Sequence, residues 1–146
     1  IIAASSFAQS GQIPSVKLKD IEGNTINTAE LVKDGNPVII SFWATWCSPC
    51  KRNMTKFPTL MDKHPDQLTI VTISADAEWQ TMVDYLNSNK YAGKWVALYN
   101  GERGGYFDKV PISVFPTYYI LDANKKVIDI PKSGKLVETI DKLMKD

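Results

Sequence analysis

The segment Pro37–Cys50, PVIISFWATWCSPC, constrains this chain more than any other stretch. Val38, Ile39, Ile40, Phe42 and Trp43 form a continuous apolar run, the pattern of a strand buried on both faces of a parallel sheet. The run ends in Cys47-Ser48-Pro49-Cys50, and the residues beyond have helical spacing. The pattern predicts two cysteines on a strand-to-helix turn, a placement suited to redox chemistry. A helix N-terminus offers N–H groups without intrahelical partners and a partial positive charge, and both favour a thiolate over a thiol. A three-residue step sets the two sulfurs one turn apart on one helix face, within bonding reach. Pro49 suits the first turn, where its missing N–H costs nothing.

Other uses of the pair fit less well. As a structural disulfide it closes so short a loop that it removes only about 2 kcal/mol of unfolded-state entropy, against almost 5 for a ~100-residue loop. A structural zinc site needs four ligands, whereas the chain has two cysteines and one histidine, His64. Haem attachment needs His directly after the second cysteine, and Lys51 stands there.

A length of 146 residues suits one domain able to bury a core without staples. Net charge is +1, with no long basic run, so nothing asks for nucleic acid or an anionic membrane surface. No apolar stretch approaches the roughly 18–20 residues of a membrane span. Ile1–Ala8 is small and apolar, with Ser6-Phe7-Ala8 in small-x-small form. It reads either as the remnant of a secretory signal peptide cleaved after Ala8 or as a plain N-terminal arm.

Along the chain, Val16–Lys19 alternates like an edge strand and Asp20–Asn24 is a turn. Asn27 with Glu30 marks a short helix start. After the cysteines, Met54, Phe57 and Met61 continue one apolar face, predicting a single helix that ends over Asp62–Gln67. Cys50 falls on that inward stripe and Cys47 at the tip, the asymmetry that a resolving and an attacking thiol require. Leu68–Ile73 is a second buried strand, parallel to the first by the right-handed crossover rule. Trp79, Met82, Val83 and Leu86 predict an amphipathic helix with Asp76 and Glu78 at its start, where acids suit the dipole. Trp95–Tyr99 predicts a short strand, Asn100–Gly105 a plain turn, and Tyr91, Trp95 and Tyr99 core or rim positions. Thr117–Leu121 and Lys126–Ile130 form a hairpin. Leu136, Val137, Ile140, Leu143 and Met144 predict a closing helix capped by Ser133. His64, at a helix end, reads as a solvated capping residue.

Phe42–Lys51, then Val114-Phe115-Pro116-Thr117 and a hairpin containing Leu121-Asp122, resemble the thioredoxin superfamily. The Pro14–Leu31 segment and the long stretch before Pro116 resemble its TlpA/ResA-like branch of bacterial extracytoplasmic thiol–disulfide oxidoreductases. The resemblance implies an α/β thioredoxin-like fold over 14–146, behind an arm at 1–13. Its central mixed β-sheet is flanked by helices and carries an N-terminal β extension and a central insertion. Val38–Phe42 would be the central strand, with Leu68–Ile73 on one side and the hairpin on the other. It further implies a cis peptide at Phe115–Pro116 beside the CxxC turn, where the residue before the proline offers backbone hydrogen bonds to a substrate. Trp46 becomes a recognition platform beside Cys47. Two departures stand out: Ser41 replaces the buried acid of thioredoxins, and Asn53 and Thr55 replace the Glu and Pro frequent in the branch. Asp76 or Glu78 would then be a candidate for proton transfer.

The residues thus predict an enzyme, a thiol–disulfide oxidoreductase with Cys47 as nucleophile and Cys50 as resolving thiol. Trp46, Phe115 and Pro116 would bind substrate, and no metal or organic cofactor is implied. Its partners would be a disulfide-bearing protein substrate and an upstream thiol electron donor, and the branch implies a reductant outside the cytoplasm. The alternatives are a thiol peroxidase, for which no Pro precedes Thr45 at the usual spacing, and a metal carrier, for which His64 is the one imidazole.

Overall fold

The computed structural model describes residues 11–32 and 35–145. Seven strands form one sheet: β1 (Lys17–Asp20), β2 (Thr25–Asn27), β3 (Val38–Trp43), β4 (Thr69–Ser74), β5 (Val96–Tyr99), β6 (Thr117–Leu121) and β7 (Val127–Asp129). Their spatial order is β2-β1-β5-β4-β3-β6-β7. β3 runs parallel to β4, from Val38 opposite Thr69 to Trp43 opposite Ser74. On its other side it runs antiparallel to β6, from Val38 opposite Leu121 to Phe42 opposite Thr117. This is the mixed sheet expected, with β3 between β4 and β6; the N-terminal hairpin and β5 on the far side make β4 the middle strand of the seven. β1, however, is not an edge strand. β2 takes that edge, with Leu18 opposite Ile26, while β1 pairs with β5 on its inner side. Alternation reports which face is buried, not how many neighbours a strand has.

Every residue of β3 is buried, and alternate side chains enter two separate cores. Ile39 and Trp43 join the cluster that also holds Cys47 and Cys50. Val38, Ile40 and Phe42 join the opposite one. The four α-helices, α1 (Ser48–Met54), α2 (Phe57–Lys63), α3 (Trp79–Ser88) and α4 (Leu136–Met144), supply side chains only to the first cluster. Right-handed β3–β4 and β4–β5 crossovers step the same way across the sheet, so their helices share a face. The β5–β6 connection steps back and covers the other face with Tyr106 and Val110.

Sequence spacing predicts one helix after the cysteines, but there are two. Pro58 lies early in α2, and its missing N–H leaves the Met54 carbonyl without the bond that would continue α1. The helix expected at Asn27 is a 3₁₀ turn over Thr28–Leu31, with the Asn27 side chain accepting from the Ala29 N–H at 3.0 Å. His64 does terminate α2, but it is not a solvated cap. Its Nε2 lies 3.0 Å from Asp141 on α4, and Lys63 reaches the other carboxylate oxygen at 2.9 Å. These hydrogen bonds, from His64 first, hold the Asp141 carboxyl below its ordinary range. Ser133 does not cap α4 either, and its partner is described below.

The possible signal remnant Ile1–Ala8 lies outside the described residues. Gly11–Ile13, assigned from sequence to the arm, pack against the hairpin: the Val127 N–H donates to the Gly11 carbonyl at 2.8 Å, and the Ile13 N–H to the Lys125 carbonyl at 3.1 Å. Among the described residues no helix is long and apolar enough to cross a membrane.

Candidate active site

The carboxyl ends of the parallel strands β3 and β4 open on one edge of the sheet, where chain segments diverge and leave room for a site. From the end of β3 the chain turns through Ala44–Cys47, closed by the Cys47 N–H donating to the Ala44 carbonyl at 3.1 Å. Cys47 is then the N-cap of α1 in extended conformation, with Pro49 in the first turn. Its sulfur accepts the Cys50 backbone N–H at 3.2 Å. One of the helix's orphan donors is therefore aimed at Cys47, the local physics that the spacing predicts.

Cys47 and Cys50 are joined in a disulfide with Cα atoms 5.3 Å apart. Cys50 lies on the inward stripe as expected, at 2% exposure. Cys47 is scarcely more open at 5%. In the disulfide form the two therefore differ by position on the helix, not by accessibility. Both belong to the helix-side core cluster, and sequence position alone cannot register that for Cys47.

Register brings the remaining residues to this end. Phe42 faces Thr117 across β3–β6, so Phe115 and Pro116 meet the chain where it leaves β3 for the CxxC turn. The Phe115–Pro116 peptide is cis, and the Thr117 hydroxyl closes that turn by donating to the Val114 carbonyl at 2.6 Å. Pro116 is buried and Phe115 half-buried. Trp46 is 65% exposed and meets Phe115 edge-on at 5.5 Å between ring centroids, so it stands on the surface of the turn.

The two acids part company. Asp76 is 2% exposed and is no helix-start residue. Its Oδ1 accepts from the Thr45 N–H at 3.0 Å and the Thr45 hydroxyl at 2.8 Å, and its Oδ2 from the Ser74 hydroxyl at 2.7 Å. It pins the residue two before Cys47 to the end of β4. Glu78 is the N-cap position of α3, exposed, without a side-chain capping bond. Replacing Asp76 by Asn removes acceptor capacity from a buried site and is expected to cost about 1–3 kcal/mol. Glu78→Gln should stay within about 0.5 kcal/mol of wild type. Urea unfolding of the two variants measures the contrast.

Ser41, in place of the family's buried acid, is itself buried and hydrogen-bonds Tyr118. Burial pushes the Tyr118 phenol up to about 12, against the pull of hydrogen bonds from Asn53 and Ser41. The phenol therefore stays neutral at physiological pH. Asn53, one turn beyond Cys50, donates to the Tyr118 hydroxyl at 2.8 Å and to the Ser133 carbonyl and hydroxyl at 2.8 and 3.1 Å. An uncharged chain, Ser41–Tyr118–Asn53–Ser133, thus occupies the ground behind α1 and ties it to the turn before α4. Sequence reading registered Ser41 and Asn53 only as departures and Thr45 only in the peroxidase alternative, and it gave Tyr118 no role beyond its strand. Their partners lie 31 to 80 residues away in the chain, and no local pattern signals them.

A thioredoxin-like family model matches residues 35–127, well over half of the chain. The chain belongs to the thioredoxin-like family. Sporulation thiol-disulfide oxidoreductase A of Bacillus subtilis is 29% identical over 139 residues, covering 92% of this chain and 80% of that protein. Thiol-disulfide oxidoreductase ResA of Bacillus thuringiensis is 28% identical over 122 residues, 81% of this chain and 66% of its own length, just short of two thirds. In structure, a thiol-disulfide oxidoreductase from Bacteroides fragilis superposes with a TM-score of 0.77 at 17% identity, over 90% of this chain and 98% of that one, a likeness of fold. With a CxxC pair at bonding distance in this thioredoxin-like chain, the activity class is thiol–disulfide oxidoreduction.

Proposed function

We propose that this thioredoxin-like chain reduces disulfides in protein substrates, with Cys47 attacking and Cys50 resolving. The observation that carries the assignment is the Cys50 N–H aimed at the Cys47 sulfur at the tip of α1. In the reduced protein that donor and the helix dipole favour the Cys47 thiolate. The thiolate attacks one substrate sulfur, forming a mixed disulfide and expelling the other as a thiolate. Cys50, deprotonated, then attacks the Cys47 sulfur and expels the second substrate thiolate. The substrate gains two electrons and, on protonation, two protons. The protein loses two electrons and is left as the Cys47–Cys50 disulfide, which an upstream thiol protein must reduce again. Neither step asks for a metal or organic cofactor.

Trp46 and Phe115 form the docking surface, with the buried Pro116 setting the turn behind them, and the backbone at Phe115 is the natural partner for an extended substrate segment. Asp76 positions the Thr45–Cys47 segment. To serve in proton transfer it would have to give up its bonds to Thr45 and Ser74. A pH–rate profile of Asp76→Asn separates the two roles: a lower rate with unshifted limbs gives positioning, and a shifted limb gives proton transfer.

The reducing direction and an extracytoplasmic location rest on the resemblance to the TlpA/ResA-like branch. The decisive measurement is the reduction potential of the CSPC pair against a glutathione buffer. A value well below about −200 mV is expected, and one near −120 mV, the range of strong oxidants, overturns the reducing direction.

A further inference from the structure

The connection between β5 and β6 contains a built feature that thiol exchange itself does not require. Asn100 organises it: its Oδ1 accepts the Tyr106 N–H at 2.9 Å, and its Nδ2 donates to the Gly101 and Gly104 carbonyls at 3.2 Å. Gly105 holds φ at +53°, and a Cβ there would collide with the Asn100 side-chain oxygen, so this turn requires glycine. The 3₁₀ turn Gly105–Asp108 that follows sends its two aromatic residues opposite ways. Tyr106 is fully buried, its hydroxyl donating to the Thr28 hydroxyl at 2.7 Å. Phe107 is half-buried and, among the described residues, belongs to neither core cluster. Its ring meets Phe115 edge-on at 6.1 Å, and Phe115 in turn meets Trp46 at 5.5 Å.

Three rings therefore run in a row from the central insertion, across the cis-proline turn, to the residue before Cys47. Val114, at 65% exposure, stands beside them. Phe107 and Phe115 are each partly covered, and their uncovered edges border the exposed Trp46 and Val114. Their position is continuous with the site that a substrate disulfide must reach.

We infer that Phe107 is a specificity-determining residue, and that Phe107, Phe115 and Trp46 seat an apolar side chain flanking the cystine of a partner polypeptide. The inference rests on the exchange reaction at Cys47 and names its substrate class: protein disulfides set in apolar sequence, in preference to disulfides in polar sequence. A leucine of the partner laid against these rings removes apolar surface from water on both sides, which at partial burial favours it by about tenfold over serine. The contact is made while the substrate docks for attack, so the preference enters the rate of the first exchange step.

The test uses two synthetic peptides, each with one intramolecular disulfide, differing only in leucine or serine residues beside the cysteines. Stopped-flow rates of their reaction with the reduced full chain give a leucine-to-serine ratio. The ratio is taken on one protein sample, so any unfolded fraction cancels. The expected result is a ratio of about ten for wild type, about three for Phe107→Ser, where Phe115 and Trp46 remain, and close to wild type for Phe107→Leu. A wild-type ratio near one, or an undiminished ratio in Phe107→Ser, overturns the inference while leaving disulfide reduction intact. A reduced wild-type protein that opens neither peptide overturns the exchange reaction itself.

Discussion

Replacing Cys50 by Ser is expected to convert the protein into a trap. Cys47 still opens a partner disulfide, but no neighbouring thiol releases the product, so mixed disulfides accumulate and turnover is abolished. Cys47→Ser abolishes turnover as well, yet should trap roughly tenfold less, because the remaining thiol lies on the inward stripe of α1 and lacks the helix-tip donor. The two sulfurs are almost equally covered in the disulfide form, at 5% and 2% exposure. The difference between the variants therefore comes from the first turn of α1: Cys47 is its cap and receives the Cys50 N–H, whereas Cys50 is already inside the helix. Serine is close in size to cysteine, so neither change opens a large cavity. Non-reducing gels after incubation with oxidised partner proteins show the trapped species directly. Equal trapping by the two variants would falsify the assignment of roles.

The largest loss of stability is expected from Phe42→Ala. Phe42 is fully buried on the face of β3 opposite the cysteines and meets Tyr106 and Tyr119 edge-on, at 5.5 and 6.0 Å. Truncation leaves a cavity between those rings and costs about 3–5 kcal/mol, the usual range for a buried phenylalanine. Against a total stability of about 5–15 kcal/mol, that removes a large share of the margin. It corresponds to a Tm lower by on the order of 10 °C. Tyr106 anchors the turn that presents Phe107, so the damage spreads to the apolar wall while α1 rests on the other core. Calorimetry reads the shift, and a loss below about 1 kcal/mol would show that this face is loosely packed.

Some features were legible because their causes are local. A strand buried on both faces has to be a continuous apolar run, and Val38–Trp43 is one. A helix tip two residues past a cysteine has to accept Pro49. The amphipathic stripes of α3 and α4 follow from the 3.6-residue period, whereas the order β4, β3, β6 was implied only by the resemblance to the thioredoxin superfamily. The resemblance of Val114–Thr117 to the thioredoxin superfamily placed a cis bond at Phe115–Pro116, which is where the structure has it.

What tertiary structure alone decided are the contacts between residues far apart in the chain. Asp76 and Glu78 look alike in sequence, two acids before a helix, yet one is a buried acceptor for Thr45 and the other stands in solvent. The register of β3 on β4, Trp43 against Ser74, produces that difference by setting the segments after both strands side by side. Asn53 and Ser133 read as a departure and a cap until α4 folds back onto α1. Asn100–Gly105 reads as a plain turn in sequence, and only the fold shows Asn100 and Gly105 fixing the segment that brings Phe107 to Phe115. Periodicity reports which way a side chain points relative to its own element. Partners depend on which elements meet, and the sheet order fixes that only after every crossover and turn is in place.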